Sequence, residues 1–204
     1  MQDYTNLKNE LSLISYDVPQ RLVVAYVTNL PFGKDGRFLR NLPGVADKLV
    51  SGWGVNGDTN LQSGFPLALT AQPTTLSTTF GAGTPRPNVT AGCNKIPDVS
   101  SQGRITGWFN TACFSQPGTF GFGSEARTDP NIRVAGIANY NFALFKNTAI
   151  TERFKLQFRA EAFNLFNRVQ FGQPNVSVGN TSFGSLTSQY NNPRILQMSG
   201  RISF

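Results

Sequence analysis

The chain's 204 residues could hold one domain with a sizeable core, but 17 Phe, 20 Gly and 12 Pro beside only 14% charged residues describe a β-rich, loop-rich chain with few surface ions. With no His anywhere, Ser-His-Asp and Cys-His catalysis, His-ligated zinc and imidazole acid–base chemistry are excluded, and neither enzyme activity nor a cofactor or metal site is expected. The net charge of +7 is dispersed and has no aromatic-interleaved recognition motif with it, which argues against a nucleic-acid partner.

Residues 1–17 are polar and read as the end of a loop; 18–204 read as a series of strands. Met1-Gln-Asp-Tyr-Thr-Asn-Leu-Lys-Asn-Glu10 has neither the basic nor the apolar region of a signal peptide. No stretch approaches the roughly 18 apolar residues of a membrane helix. The first strand is expected over 18–30, from Val18 to Leu30, and ends at Pro31-Phe-Gly33. The connection to residue 49 gathers Lys34, Arg37, Arg40 and Lys48, a solvated turn with acidic lipid headgroups or lipopolysaccharide phosphates as the alternative partner.

The second strand is expected over 50–67. Trp53, Val55, Thr59, Leu61 and Phe65 fall on one face; Asn56, Asp58, Asn60 and Gln62 fall on the other. Residues 68–138 then turn to Pro, Gly, Thr, Ser and Asn without periodicity, too long for an ordinary connection and so either functional or disordered. The glycines of Gly81-Ala-Gly83 and Gly121-Phe-Gly123 follow no strand and open no helix, so they are loop glycines. The chain's two cysteines, Cys93 and Cys113, both lie in this stretch.

A third strand is expected over 139–146, with Tyr140, Phe142 and Leu144 outward, followed by a short turn over 147–153. Over 154–166, Phe154, Leu156, Phe158, Ala160 and Ala162 oppose Lys155, Gln157, Arg159 and Glu161. A helix competes there, since Leu156, Ala160 and Phe163 share a helical face, but the unbroken alternation favours a strand. After an Asn/Gly/Ser loop over 167–193, the last strand at 194–204 sets Leu196, Met198, Gly200, Ile202 and Phe204 against Gln197, Ser199, Arg201 and Ser203. Strands of about 9–11 residues with one greasy and one wet face span a bilayer when tilted in a barrel. The same alternation also marks a half-buried strand of a soluble sheet. Short turns alternating with long loops match the asymmetry of outer-membrane barrels.

The run Phe158-Arg-Ala-Glu-Ala-Phe-Asn-Leu-Phe-Asn-Arg168, with Gln170-Phe-Gly-Gln-Pro-Asn175, Phe183-Gly-Ser-Leu-Thr-Ser-Gln189, Asn192-Pro-Arg194 and the terminal Phe204, resembles the carboxyl end of TonB-dependent outer-membrane receptors, most closely the Oar-like subgroup. The Leu30-Pro-Phe-Gly33 turn fits the same pattern, although Gln20 stands where those receptors usually carry His. The resemblance implies an all-β fold: five antiparallel strands of a transmembrane barrel of about 22 strands, with long extracellular loops. It implies outer-membrane localisation, contact with outer-membrane lipids, and uptake or surface binding of a ligand whose identity is not legible. The plug and the segment that meets the TonB complex would lie upstream of Met1, making the chain a carboxyl-terminal piece. A secreted carbohydrate-binding or adhesive β-sandwich and a non-transporting surface barrel are the competing readings.

In that setting Asp58, Lys155, Arg159, Glu161 and Arg201 would face the lumen, the charged residues of the penultimate and last strands either joining in an ion network between strands or simply solvated. The compartment is oxidising, so Cys93 and Cys113 are expected to pair, with two unpaired thiols as the alternative; the closed loop would stabilise by roughly 3 kcal/mol in the chain-entropy model. Gly200, Ile202 and Phe204 would form the signal read by the barrel-assembly machinery, the alternative for Phe204 being a place in the interfacial aromatic girdle.

Overall fold

The computed structural model describes residues 2–3, 5–34 and 36–204; Met1 and Tyr4 of the expected loop end, and Asp35 of the basic turn, lie outside the described residues. The chain forms two compact units. One holds 21–62, 137–169 and 191–204, and the other holds 1–20, 63–136 and 170–190.

The first unit is a five-stranded antiparallel sheet. Its strands are β1 (Arg21–Asn29), β2 (Trp53–Gln62), β7 (Ile137–Ala149), β8 (Lys155–Phe163) and β9 (Ile195–Ser203), in the order β1-β2-β7-β8-β9. Each pairs with its neighbour in sequence among these five. The sheet is open, with β1 and β9 as edges. Residues 155–163 form a strand rather than a helix: alternating Phe, Leu and Ala against Lys, Gln, Arg and Glu suits a pleated surface with two different sides.

Directly opposite residues share a face, so the register fixes two surfaces. One carries Leu22, Val24, Tyr26, Val55, Leu61, Tyr140, Phe142, Leu144, Leu156, Phe158, Leu196, Met198 and Ile202. Gly57 interrupts β2 on this surface, and the ring of Tyr26, directly opposite, covers the gap.

Several boundaries differ from the sequence reading: β1 starts at Arg21 rather than Val18, and β8 ends at Phe163 rather than Phe166. β2 stops at Gln62 rather than running to Leu67, and Phe65 lies beyond it; Pro66–Leu67 is instead β3, paired in a separate small sheet with β6 (Asp129–Arg133). Residues 44–50 form a helix, α1, where a turn and the start of a strand were expected; Pro43 sits at its N-cap and Asp47 in its first turn. β7 is longer than 139–146, reaching from Ile137 to Ala149.

The second unit gives the 68–138 stretch a core of its own. β4 (Asn88–Val89) pairs with β5 (Phe114–Ser115), and two short helices, α2 (Thr75–Thr79) and α3 (Gly103–Thr106), fill the connections. Thr74 and Ser77 form a capping box at α2. Leu67, Leu69, Phe109, Phe114, Ile132 and Val178 are buried together. Phe109 meets Phe114 and Phe183 edge-on at 5.8 and 5.1 Å.

Cys93 and Cys113 are bonded, with Cα atoms 5.6 Å apart, and Cys113 is fully buried at the edge of this core. Beside them Lys95 Nζ donates to Asp129 at 2.5 Å and Glu125 at 2.9 Å, both carboxylates lying almost entirely out of solvent. Arg86, 5% exposed, pairs with Glu10 at 2.9 Å.

Candidate functional site

Asp58, Lys155, Arg159, Glu161 and Arg201 come from three strands, yet the register sets all five on the face opposite the apolar one. Their neighbours there are mostly amides: Asn56, Asn60, Asn139, Asn141, Asn147, Gln157 and Gln197. Asp58 accepts two hydrogen bonds from Nδ2 of Asn141, directly across on β7, at 3.0 and 3.2 Å. Gln157 Nε2 donates to Asn147 Oδ1 at 2.9 Å, again across a directly paired position.

The charges do not join into a network between strands. Arg159 and Glu161 pair at 2.8 Å within β8, two residues apart and therefore on one side of it. Lys155 and Arg201 form no ion pair among the described residues, and Arg201 stands opposite Gln157.

Composition grades along the strands. Toward the end where β2 runs on to residue 63 and β8 to residue 164, the face is amide-rich, with Asn60, Asp58 and Asn141. Toward the other end it is cationic, with Arg159, Arg201 and Lys155. Phe145, 8% exposed, lies between them opposite Gly54; a side chain on Gly54 would collide with its ring. A groove of about 560 Å³ runs past Val27, Asn56, Asp58, Phe145, Gln157 and Arg159. Such a surface offers hydrogen-bond donors, acceptors and charge to a polar solute, with one aromatic for contact. Asn141, Asn147 and Phe145 were not singled out from sequence, although the alternation of Asn139 and Asn141 with Tyr140 and Phe142 carries the signal.

Gly200 and Ile202 lie on the apolar face opposite Phe158 and Leu156. Phe204 follows the last strand residue, 97% exposed, its ring 6.4 Å from that of Phe154.

The Asn164-Leu-Phe-Asn167 element is a corner. Asn164 and Asn167 both adopt left-handed backbone, with φ of 53° and 50°, a conformation Asn tolerates better than other side chains. Asn164 is buried, and its Nδ2 donates to the carbonyls of Arg168 and Asn192 while its Oδ1 accepts from the Arg168 N–H at 2.9 Å. Asn167 Oδ1 accepts from the Arg194 N–H at 2.9 Å, and Phe166 packs edge-on against Tyr140 at 5.0 Å. The two amides thus tie the end of β8 to the start of β9. Asn164→Ala is expected to destabilise the full-length protein by about 2–4 kcal/mol, since it removes three hydrogen bonds to backbone groups, the Arg168 carbonyl alone keeping another, from Asn191 Nδ2, and worsens a left-handed residue. Asn164→Gly should recover only the backbone part. Urea unfolding midpoints in detergent measure both, and an unchanged midpoint for the Ala variant would remove the corner's structural role.

A family model described as an outer membrane beta barrel domain matches residues 1–197 of the chain. No curated protein and no solved structure matches it.

Proposed function

The chain belongs to the outer membrane beta barrel domain family and so lies in the bacterial outer membrane, and from that premise we propose that its five-stranded sheet is part of the wall of a TonB-dependent, Oar-like receptor. Membership in that family displaces the secreted sandwich as a reading. In the proposed receptor the apolar face meets lipid, and the face bearing Asp58, Lys155, Arg159, Glu161 and Arg201 lines the lumen. The exposed Leu22, Val24, Tyr26, Leu196, Met198 and Ile202 would form a large apolar patch in water and are at home in a bilayer.

The observation that carries the uptake reading is the folded unit built from two connections together with residues 1–20. The β2–β7 and β8–β9 connections leave the same end of the antiparallel sheet, and residues 63–136 and 170–190 share a compact unit with a buried aromatic core and a disulfide. A receptor that must hold a scarce ligand has a use for such an ordered unit. The resemblance of residues 158–204 to Oar-like receptors supports the same assignment. The plug and TonB-contacting segment would come from outside these 204 residues, and β9 would be read by the barrel-assembly machinery.

The test needs no ligand. The full-length protein, with any upstream segment, is expected to be captured by the periplasmic domain of TonB and to show no steady conductance in planar bilayers, because a plug closes the lumen. Steady open-pore conductance without TonB capture would identify a passive channel. A closed barrel that TonB does not capture would identify a non-transporting surface protein.

A further inference from the structure

We propose that the connection between β1 and β2 is a lipid-docking surface that seats α1 in the headgroup layer of the membrane on anionic glycerophospholipids. The proposal rests on the apolar face of the sheet meeting lipid.

This connection is folded. The Phe38 N–H donates to Pro31 O and the Gly33 N–H to Phe38 O, both at 2.9 Å, and Gly33 has the left-handed φ of 89° that the turn requires. Asp47 Oδ1 accepts from the Lys34 N–H at 2.9 Å and from the Ser51 hydroxyl at 2.6 Å, which ties α1 to the turn.

What the fold presents outward is apolar and cationic. A surface helix ordinarily hides its apolar stripe and exposes polar residues. In α1 apolar residues lie on both sides: Gly44, Val45, Lys48 and Leu49 are exposed on one stripe, while Ala46, Asp47 and Val50 are partly sheltered. Val45 is 77% and Leu49 66% exposed, and Phe38 and Leu39 nearby exceed half. Leu39 even holds a left-handed φ of 60°, a conformation unfavourable for its branched side chain, while remaining in the open. Lys34, Arg37, Arg40 and Lys48 are exposed too, and none of them is in an ion pair among the described residues.

The helix is fastened to the apolar face of the sheet. Trp53 and Lys146 are directly opposite on that face, with Lys146 Nζ 5.0 Å from the indole centroid. The Trp53 indole N–H donates to Leu49 O at 2.9 Å, and Lys146 Nζ donates to Leu49 O and Ser51 O at 3.1 and 2.5 Å. Trp and Lys are the residues that mark a membrane–water boundary. The carboxyl end of α1 is therefore pinned where the lipid-facing surface ends, and its exposed stripe continues that surface to headgroup depth. An apolar stripe interleaved with exposed cations fits a layer of phosphate-bearing lipid, where acyl chains take the Val and Leu side chains and phosphates take the Lys and Arg.

The test uses the full-length receptor in phosphatidylglycerol-containing vesicles. The disulfide leaves no free thiol in residues 1–204, so single cysteines can carry a bimane label. Labels at Val45→Cys and Leu49→Cys are expected to be quenched by brominated phospholipid, as a label at Met198→Cys on the apolar face is, while one at Thr78→Cys in the second unit is not. Replacing Arg37, Arg40 and Lys48 together by Gln is expected to lower quenching at residues 45 and 49 about twofold. A quenched Met198 label with unquenched labels at 45 and 49 overturns the docking surface and leaves the sheet's orientation standing. An unquenched Met198 label overturns that orientation and the docking surface with it.

Discussion

Lys95→Met is expected to lower the free energy of local opening in the second unit by about 3–5 kcal/mol, because it removes the one cation between two buried carboxylates. Asp129 and Glu125 have side chains 0% and 2% exposed, so neither charge is met by water once Lys95 is gone. Asp129 also accepts from the Asn131 and Ile132 N–H groups at 2.7 and 3.2 Å, which holds it in place and prevents escape by rotation. Hydrogen exchange of the amides of β4, β5 and β6 in the full-length protein reads the change, and protection within about 0.5 kcal/mol of wild type would refute it. Adding Glu125→Gln and Asp129→Asn should restore part of the loss by discharging the stranded pair. The same ion group has a pH signature. Burial pulls the Lys95 pKa down, but hydrogen bonds to Asp129 and Glu125, and their charges, hold it above the ordinary lysine value. The folded value exceeds the unfolded one, so the contribution is complete below the ordinary lysine range and is lost only as pH climbs through the raised value.

Met198→Arg is expected to destabilise the barrel in lipid vesicles by about 2–4 kcal/mol, the cost of a cation near the bilayer midplane. Gln197→Arg, one residue earlier, should be neutral within about 0.5 kcal/mol, because Gln197 lies on the other face directly opposite Glu161 and a cation there gains a cross-strand partner. Guanidinium unfolding of the full-length protein in vesicles compares them. Equal losses, or a larger loss for Gln197→Arg, would contradict the assignment of faces.

That assignment was the most legible part of the chain, and the reason is geometric. Strand side chains alternate strictly, so Leu196, Met198 and Ile202 declare one side and Gln197, Ser199 and Arg201 the other before any coordinates exist. The ends of the strands were less legible. Nothing in the alternation of Trp53 to Leu67 announces that pairing with β7 stops at Gln62; the change of partner at Pro66, which turns to Arg133, is a long-range event. The core of the second unit was hidden for a related reason. Leu67, Leu69, Phe109, Phe114, Ile132 and Val178 sit singly in irregular segments, and no local period connects them. The helix α1 was masked by its own surface, since Val45 and Leu49 on the exposed stripe blur the amphipathic pattern by which a short helix is ordinarily found. The cross-strand hydrogen bond of Asp58 needed register, because Asn141 is far away in sequence and adjacent only through β2–β7 pairing.

The pairing of β2 with β7 spans residues 63–136, and an unstructured stretch of that size would carry a large closure entropy. Within the second unit, however, the two ends of the stretch are already together: the Val134 N–H donates to Phe65 O at 2.9 Å, Arg133 Nη1 donates to Gly64 O at 3.1 Å, and Pro66 pairs with Arg133. Once this unit has folded, the strands are joined by an effective loop of only a few residues. The logarithmic dependence of closure entropy on length makes that difference about 2–3 kcal/mol. A long insertion thereby behaves as a tight hairpin, and the most distant strand pairing in the sheet becomes kinetically local.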